Sequence, residues 1–224
     1  MKHDYAYKVM EIAEALRTEY KDFAHHNRKN PLDELLFIIC SIKRSEKVYL
    51  ASFCTLKKEY PSHEKLLKAP TKKKSDIFAS AGLHNHKALM IKHILTSITQ
   101  RFGKPTLNPL KKMSNKECED FLTGLHGVGR KVAHCVMLYA LKRQVFPVDS
   151  NCWRISRRLG WIKSFTNSNG FCSEKEMESL QSKIPPDLRF SLHVNMVSHG
   201  RKICKVRKPN CYECSIKQYC LQLI

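Results

Sequence analysis

The chain has 224 residues, enough for one large domain or two small ones with a real core. Lys and Arg number 40 against 20 Asp and Glu, a formal net charge of +20 with an isoelectric point near 9.6. A surplus of that size points to a polyanionic partner, nucleic acid before an acidic membrane surface, and no apolar run is long enough to span a bilayer. Met1-Lys2-His3-Asp4 is not a secretory leader, and six of the ten cysteines, Cys40, Cys54, Cys118, Cys135, Cys152 and Cys172, are scattered with no disulfide rhythm. These features predict a reducing, intracellular setting: cytoplasm and nucleoid, or nucleus.

The pattern is helical almost throughout. Val9, Ile12, Ala13, Leu16 and Tyr20 recur at helical spacing. Pro31-Leu32-Asp33-Glu34 opens a helix with proline and acids in its first turn. The run that follows, Leu35 to Ile39, is apolar all round and suits the most buried helix of a bundle. Further helices are expected near Lys47–Tyr60, Ser62–Leu67, Lys72–Ala79, Lys87–Phe102, Ser114–Leu122, Arg130–Leu141, Ser150–Leu159, Ser173–Lys183 and Leu188–His199. No alternating strand pattern competes, so the fold class is all-α. Basic residues cluster at Lys72–Lys74, Lys111–Lys112, Lys142–Arg143, Arg154 with Arg157–Arg158, and Arg201–Lys208.

Two stretches carry chemistry. Leu125-His126-Gly127-Val128-Gly129-Arg130-Lys131 joins two helical segments. Gly127 and Gly129 permit a tight turn, and the next helix then offers its N–H groups and the positive end of its dipole to a phosphate. Near the end, Cys204, Cys211, Cys214 and Cys220 are spaced C-x6-C-x2-C-x5-C. The segment is short and basic and needs a metal to hold it. Four thiolates so spaced can fold back around one soft metal centre; a zinc knot is the plainer reading, and Cys211-x2-Cys214 alone favours zinc.

With the hairpin string, then Val148-Asp149-Ser150-Asn151, then the four cysteines in that order, the chain resembles the endonuclease III family of helix-hairpin-helix DNA glycosylases. The resemblance runs nearly end to end. It implies a two-lobed fold: a six-helix lobe over residues 25–143, and a cluster lobe formed by residues 1–24 with 144–224. DNA would lie across the cleft between them. Cys204, Cys211, Cys214 and Cys220 would hold a [4Fe–4S] cluster, and hairpin carbonyls a monovalent cation. Lys131 matches the family's nucleophilic lysine and Asp149 its essential aspartate. Cleaving an N-glycosidic bond builds positive charge on the sugar, which a carboxylate stabilises. An amine can then form a Schiff base and allow β-elimination.

The resemblance extends to DNA contacts. Gly82-Leu83-His84-Asn85-His86-Lys87 is similar to the loop that wedges an apolar side chain into the base stack, with Leu83 as the wedge and Asn85 and Lys87 beside it. Lys43 stands where endonuclease III has a glutamine that fills the gap left by the extruded base. Gly127, Gly129 and Arg130 would meet phosphates at the hairpin, and Lys205, Arg207 and Lys208 at the cysteine loop. His126 replaces a proline common in the family, and Asn151 a histidine.

The implied function is a monomeric, bifunctional glycosylase and AP lyase of base excision repair. Its partner would be duplex DNA containing a damaged, oxidised pyrimidine. The run Phe146 to Trp161 looks closer to plant 5-methylcytosine glycosylases, which keeps a 5-methylcytosine or mismatch glycosylase as the alternative. A non-catalytic zinc-knot DNA-binding module is the reading from another class.

Overall fold

In the computed structural model, residues 2–23, 25–79, 83–162 and 172–221 are described. Among them there are eleven α-helices and no strand. In order they are α1 (Lys2–Tyr20), α2 (Pro31–Ser41), α3 (Glu46–Glu59), α4 (His63–Lys68), α5 (Thr71–Ile77) and α6 (His84–Phe102). Then follow α7 (Asn115–Thr123), α8 (Arg130–Tyr139), α9 (Ser150–Arg158), α10 (Glu174–Lys183) and α11 (Arg189–Lys202). The chain divides into two compact units. One is the continuous stretch Asn27–Arg143; the other joins Met1–His26 to Gln144–Ile224. No helix among the described residues is long and apolar enough to cross a membrane.

The continuous unit is built around α2. Asn30 caps this helix, its side chain accepting from the N–H groups of Leu32 and Asp33 at 2.9 and 3.1 Å. Pro31 occupies the first turn, where a missing N–H costs nothing. Leu35, Leu36, Phe37, Ile38 and Ile39 are all buried, as an apolar-all-round helix requires. α2 packs against α3, α6 and α8, α7 against α8, and α6 against α4 and α5. Arg143 closes the unit: its Nη2 donates to the carbonyls of Leu110, Lys111 and Met113 at 3.2, 3.1 and 2.7 Å.

The second unit takes its core from both ends of the chain. Val9, Ile12, Leu16 and Tyr20 of α1 pack with Phe146, Val148, Cys152, Ile155 and Leu159 around α9, and with Leu192 and Met196 of α11. α11 lies between α1 and α9. Asp22 fastens the end of α1, accepting from Ser191 Oγ at 2.5 Å and Asn195 Nδ2 at 2.8 Å.

One helix start differs from the sequence expectation. α6 begins at His84, not Lys87, and Leu83 precedes it in the left-handed conformation with φ 54°. No capping side chain marks this start, which is why periodicity alone placed it a turn late.

Glu34 is the unusual group of the α2 core. It is 0% exposed, accepts from Asn27 Nδ2 at 2.6 Å and from the Arg28 backbone N–H at 2.5 Å, and is electrostatically coupled to Lys131. Burial dominates and pushes its carboxyl up to about 7. A folded-state value above the ordinary one gives stability that is complete below the ordinary carboxylate range and lost as pH rises through about 7. Asn27 Oδ1 is buried without a partner, and a flip of that amide would turn an acceptor towards a protonated Glu34. The urea midpoint of the wild type should therefore fall between about pH 5 and about pH 8, with a loss on the order of 2–3 kcal/mol. Glu34→Gln, whose amide can donate to Asn27 Oδ1, should flatten that fall. An unchanged slope in the variant would assign the pH dependence elsewhere.

Candidate nucleic-acid interface and cysteine site

The hairpin is held from below by two apolar side chains. Leu125 and Val128 are buried, and the Val128 N–H donates to the Leu125 carbonyl at 3.0 Å. Gly127 makes the turn at φ +76°, and a Cβ there would lie 3.1 Å from the sulfur of Met90. The backbone sign disfavours any other residue, and Met90 would have to give way to a Cβ. Gly129 precedes α8 without a side-chain cap, and its carbonyl accepts from Val132 and Ala133 at 2.9 and 3.0 Å. An anion can take the missing cap's place.

Glu119 of α7 sets the orientation of the next turn. Its two oxygens meet Arg130 Nε at 2.7 Å and His134 Nε2 at 2.8 Å. Arg130 is thereby paired to α7. Lys131 is half-buried on the first turn of α8, within electrostatic reach of Glu34. His126 stacks at 5.1 Å on His93, both exposed beside the turn.

The loop residues separate into two groups. Leu83 is 46% exposed, a large apolar side chain on a left-handed backbone. Lys43 is exposed on a left-handed backbone too, at φ 53° just past α2. Neither residue tolerates that conformation cheaply, and strain of this kind collects at functional positions. Asn85 is exposed, with Oδ1 accepting from Ser75 Oγ at 2.8 Å. Gly82, at the head of the loop, lies outside the described residues.

Lys87 is a correction. Its side chain is buried and its ammonium donates to the Cys40 carbonyl at 2.8 Å, beneath the Phe78 ring. It staples α6 to the end of α2 and has no face to offer a phosphate. Burial also holds its pKa below the usual lysine range.

In the other unit, Asp149 caps α9. One oxygen accepts from the Cys152 N–H at 2.8 Å and the other from Asn151 Nδ2 at 3.0 Å. The amide of Asn151 is bound in turn through Oδ1 to Arg154 Nη2 at 2.9 Å. Arg154 then reaches the Gly200 carbonyl at 3.0 Å and, through Nε, the Cys204 carbonyl at 2.8 Å. An unbroken chain of hydrogen bonds thus runs from the carboxylate to the cysteine loop. Gly200 makes room for it: a Cβ there would sit 2.7 Å from Asn151 Oδ1.

Cys204, Cys211, Cys214 and Cys220 line one pocket with Arg158, Ile203, Pro209, Asn210 and Lys217, about 360 Å³ including its open mouth. Among the described residues, no three His, Cys, Asp or Glu side chains converge closely enough to ligate one ion. A single zinc needs sulfurs at about 2.3 Å. Four thiols gathered at one pocket are a donor set suited to a soft metal centre. Arg158 is buried, not part of the outward basic surface that its sequence neighbours suggest. Its Nη1 donates to Cys204 Sγ at 3.0 Å and the Lys205 carbonyl at 2.9 Å. Burial pushes the Cys214 thiol up, so a cation is required to hold it as thiolate. Lys205, Arg207 and Lys208 are exposed on the same loop, with Val206 and Tyr212 between and beside them.

Sequence reasoning left out Asn151's bridging role, Arg154, Arg158, Gly200, His199 and Tyr20. The arginines had been grouped with the polyanion-facing clusters, and nothing in their spacing told inward from outward.

No protein-family model matches the chain. A putative DNA glycosylase of Arabidopsis thaliana is 32% identical over 179 residues, covering 80% of this chain and 59% of that protein. The chain thus spans less than two thirds of the plant relative's length. Endonuclease III of Thermotoga maritima is 30% identical over 210 residues, covering 93% of this chain and 92% of the enzyme. The structure of a trapped endonuclease III–DNA covalent intermediate superposes with a TM-score of 0.79 at 24% identity, over 99% of this chain and 96% of that one. That likeness establishes the fold. Identity of this extent across nearly the whole bacterial enzyme, on the same all-helical fold, means that the chain belongs to the endonuclease III family of DNA glycosylases.

Proposed function

We propose that the protein excises a damaged pyrimidine from duplex DNA and then cuts the strand 3′ to the abasic site. The carrying observation is Lys131, placed on the first turn of α8 directly after an uncapped hairpin and beside the buried carboxyl of Glu34. Hairpin N–H groups hold a phosphate, so the backbone is fixed at the lysine. A neutral amine attacks C1′, the base departs with the glycosidic electron pair, and the resulting imine permits loss of the 3′ phosphate by β-elimination. A trapped covalent intermediate of endonuclease III with DNA on the same fold supports this reading.

Asp149 has the second role. It is held in place by two hydrogen bonds, and it offsets the positive charge that develops on the sugar. Leu83 enters the stack, and Lys43 meets the strand opposite. Gly127, Gly129, Arg130, Lys205, Arg207 and Lys208 meet phosphates, and hairpin carbonyls hold a monovalent cation. Cys204, Cys211, Cys214 and Cys220 hold a [4Fe–4S] cluster, whose contribution is to order the terminal loop and offset its charge. Oxidised pyrimidines have lost aromatic stacking, and their extrusion costs less than that of an intact base.

Lys131→Gln should abolish borohydride cross-linking to abasic DNA while duplex binding changes less than about threefold. Full cross-linking in that variant would move the nucleophile to another amine. Binding of the wild type should weaken with salt at a log–log slope of roughly −4 to −8, for about five to eight phosphate contacts. On matched duplexes, thymine glycol and 5-hydroxycytosine should be released faster than 5-methylcytosine or mismatched thymine. The reverse order, with Lys131→Gln still inactive in trapping, would keep the reaction type and replace the substrate by 5-methylcytosine, the reading that the Phe146–Trp161 run favours.

A further inference from the structure

The last residue of α1 is connected to the cysteine loop by way of a buried imidazole. Tyr20 is 8% exposed, and its hydroxyl lies 2.9 Å from Nδ1 of His199, which is 0% exposed on α11. The other ring nitrogen, Nε2, lies 3.5 Å from Cys214 Sγ. The neighbouring residue reinforces the attachment: Glu19 Oε2 accepts from Ser215 Oγ at 2.6 Å. Lys202 covers the Tyr20 ring from the other side, its ammonium 5.5 Å from the centroid.

A ligating cysteine is a thiolate, which only accepts, so the ring nitrogen that faces it has to carry hydrogen. For His199 that nitrogen is Nε2, while Nδ1 is the one that the Tyr20 hydroxyl meets. The hydroxyl also bonds the Glu19 side chain and so links acid and ring. We infer that Tyr20 is a positioning residue for the metal site: its hydroxyl fixes the His199 ring so that the Nε2 N–H is aimed at Cys214. This rests on the reading of the four cysteines as ligands. Removing the hydroxyl leaves the ring free to turn its donor away from the sulfur. A donor aimed at a ligating sulfur stabilises the reduced, more negative cluster and raises its potential.

The test uses the full chain as purified, with iron, sulfide and zinc measured first. Tyr20→Phe keeps the ring and removes only the hydroxyl. His199→Gln removes the imidazole and serves as the second variant if the first does not fold. Val9→Ala loosens the same α1 core away from the relay. Expected are several-fold faster metal release to a chelator in Tyr20→Phe and His199→Gln, and a more negative midpoint potential in both. Val9→Ala should leave the potential at the wild-type value. Wild-type release and wild-type potential in Tyr20→Phe and His199→Gln would overturn the inference, as would a shift in Val9→Ala equal to theirs. If the wild type holds one zinc and no sulfide, the cluster reading fails by itself. Zinc release then decides the relay: faster in Tyr20→Phe upholds it, equal overturns it.

Discussion

The interaction on which the second unit depends is the pair of arginines that α9 turns inward. Arg154 and Arg158 lie one helical turn apart and reach the backbone around Cys204, and Arg158 its sulfur as well. Each brings a full positive charge out of water, which is costly unless thiolates and carbonyls meet it. The cysteine loop supplies these partners and has no core of its own. Metal site and helix therefore stabilise each other, and Asp149 inherits its orientation from this arrangement through Asn151. A substitution among the cysteines would be felt at the carboxylate without any side chain near it having changed.

The continuous unit solves a similar problem by other means. Its interior acid is Glu34, its buried lysines Lys74 and Lys87 donate to backbone carbonyls, and its organising ion pair is the Glu119 grip on Arg130 and His134. Glu119 lies close in sequence to what it serves, on the helix before the hairpin, whereas Glu34 is remote in sequence, on the helix packed against α8. The hairpin's shape needs only local terms, two glycines and two buried apolar anchors. Its chemistry needs a long-range one, the approach of α2 to Lys131.

This division explains what could be read without coordinates. The all-helical class, the approximate helix bounds and the hairpin follow from periodicity, turn residues and local spacing, and the structure shows the same class. The grouping of four cysteines at one pocket was legible from their spacing. Lys87 was not: in sequence it is one more cation in a basic loop, and only the Cys40 carbonyl, distant in the chain, shows why it is inside. The same holds for Tyr20 and His199, which are 179 residues apart. The wedge role of Leu83 is an expectation from resemblance, and its left-handed backbone was invisible in sequence because no glycine or asparagine announces it. Hydrogen bonds between remote residues leave no periodic trace.

The division into one continuous and one discontinuous unit has a consequence for synthesis. Residues 27–143 can collapse as soon as they leave the ribosome, since this compact unit is one continuous stretch. α1 emerges earlier and cannot, because its partners α9 and α11 are encoded well over a hundred residues later. At ordinary elongation rates the wait is on the order of ten seconds. For that interval Val9, Ile12 and Leu16 form an uncovered greasy stripe on a nascent, strongly basic chain, the kind of surface that holdase chaperones cover.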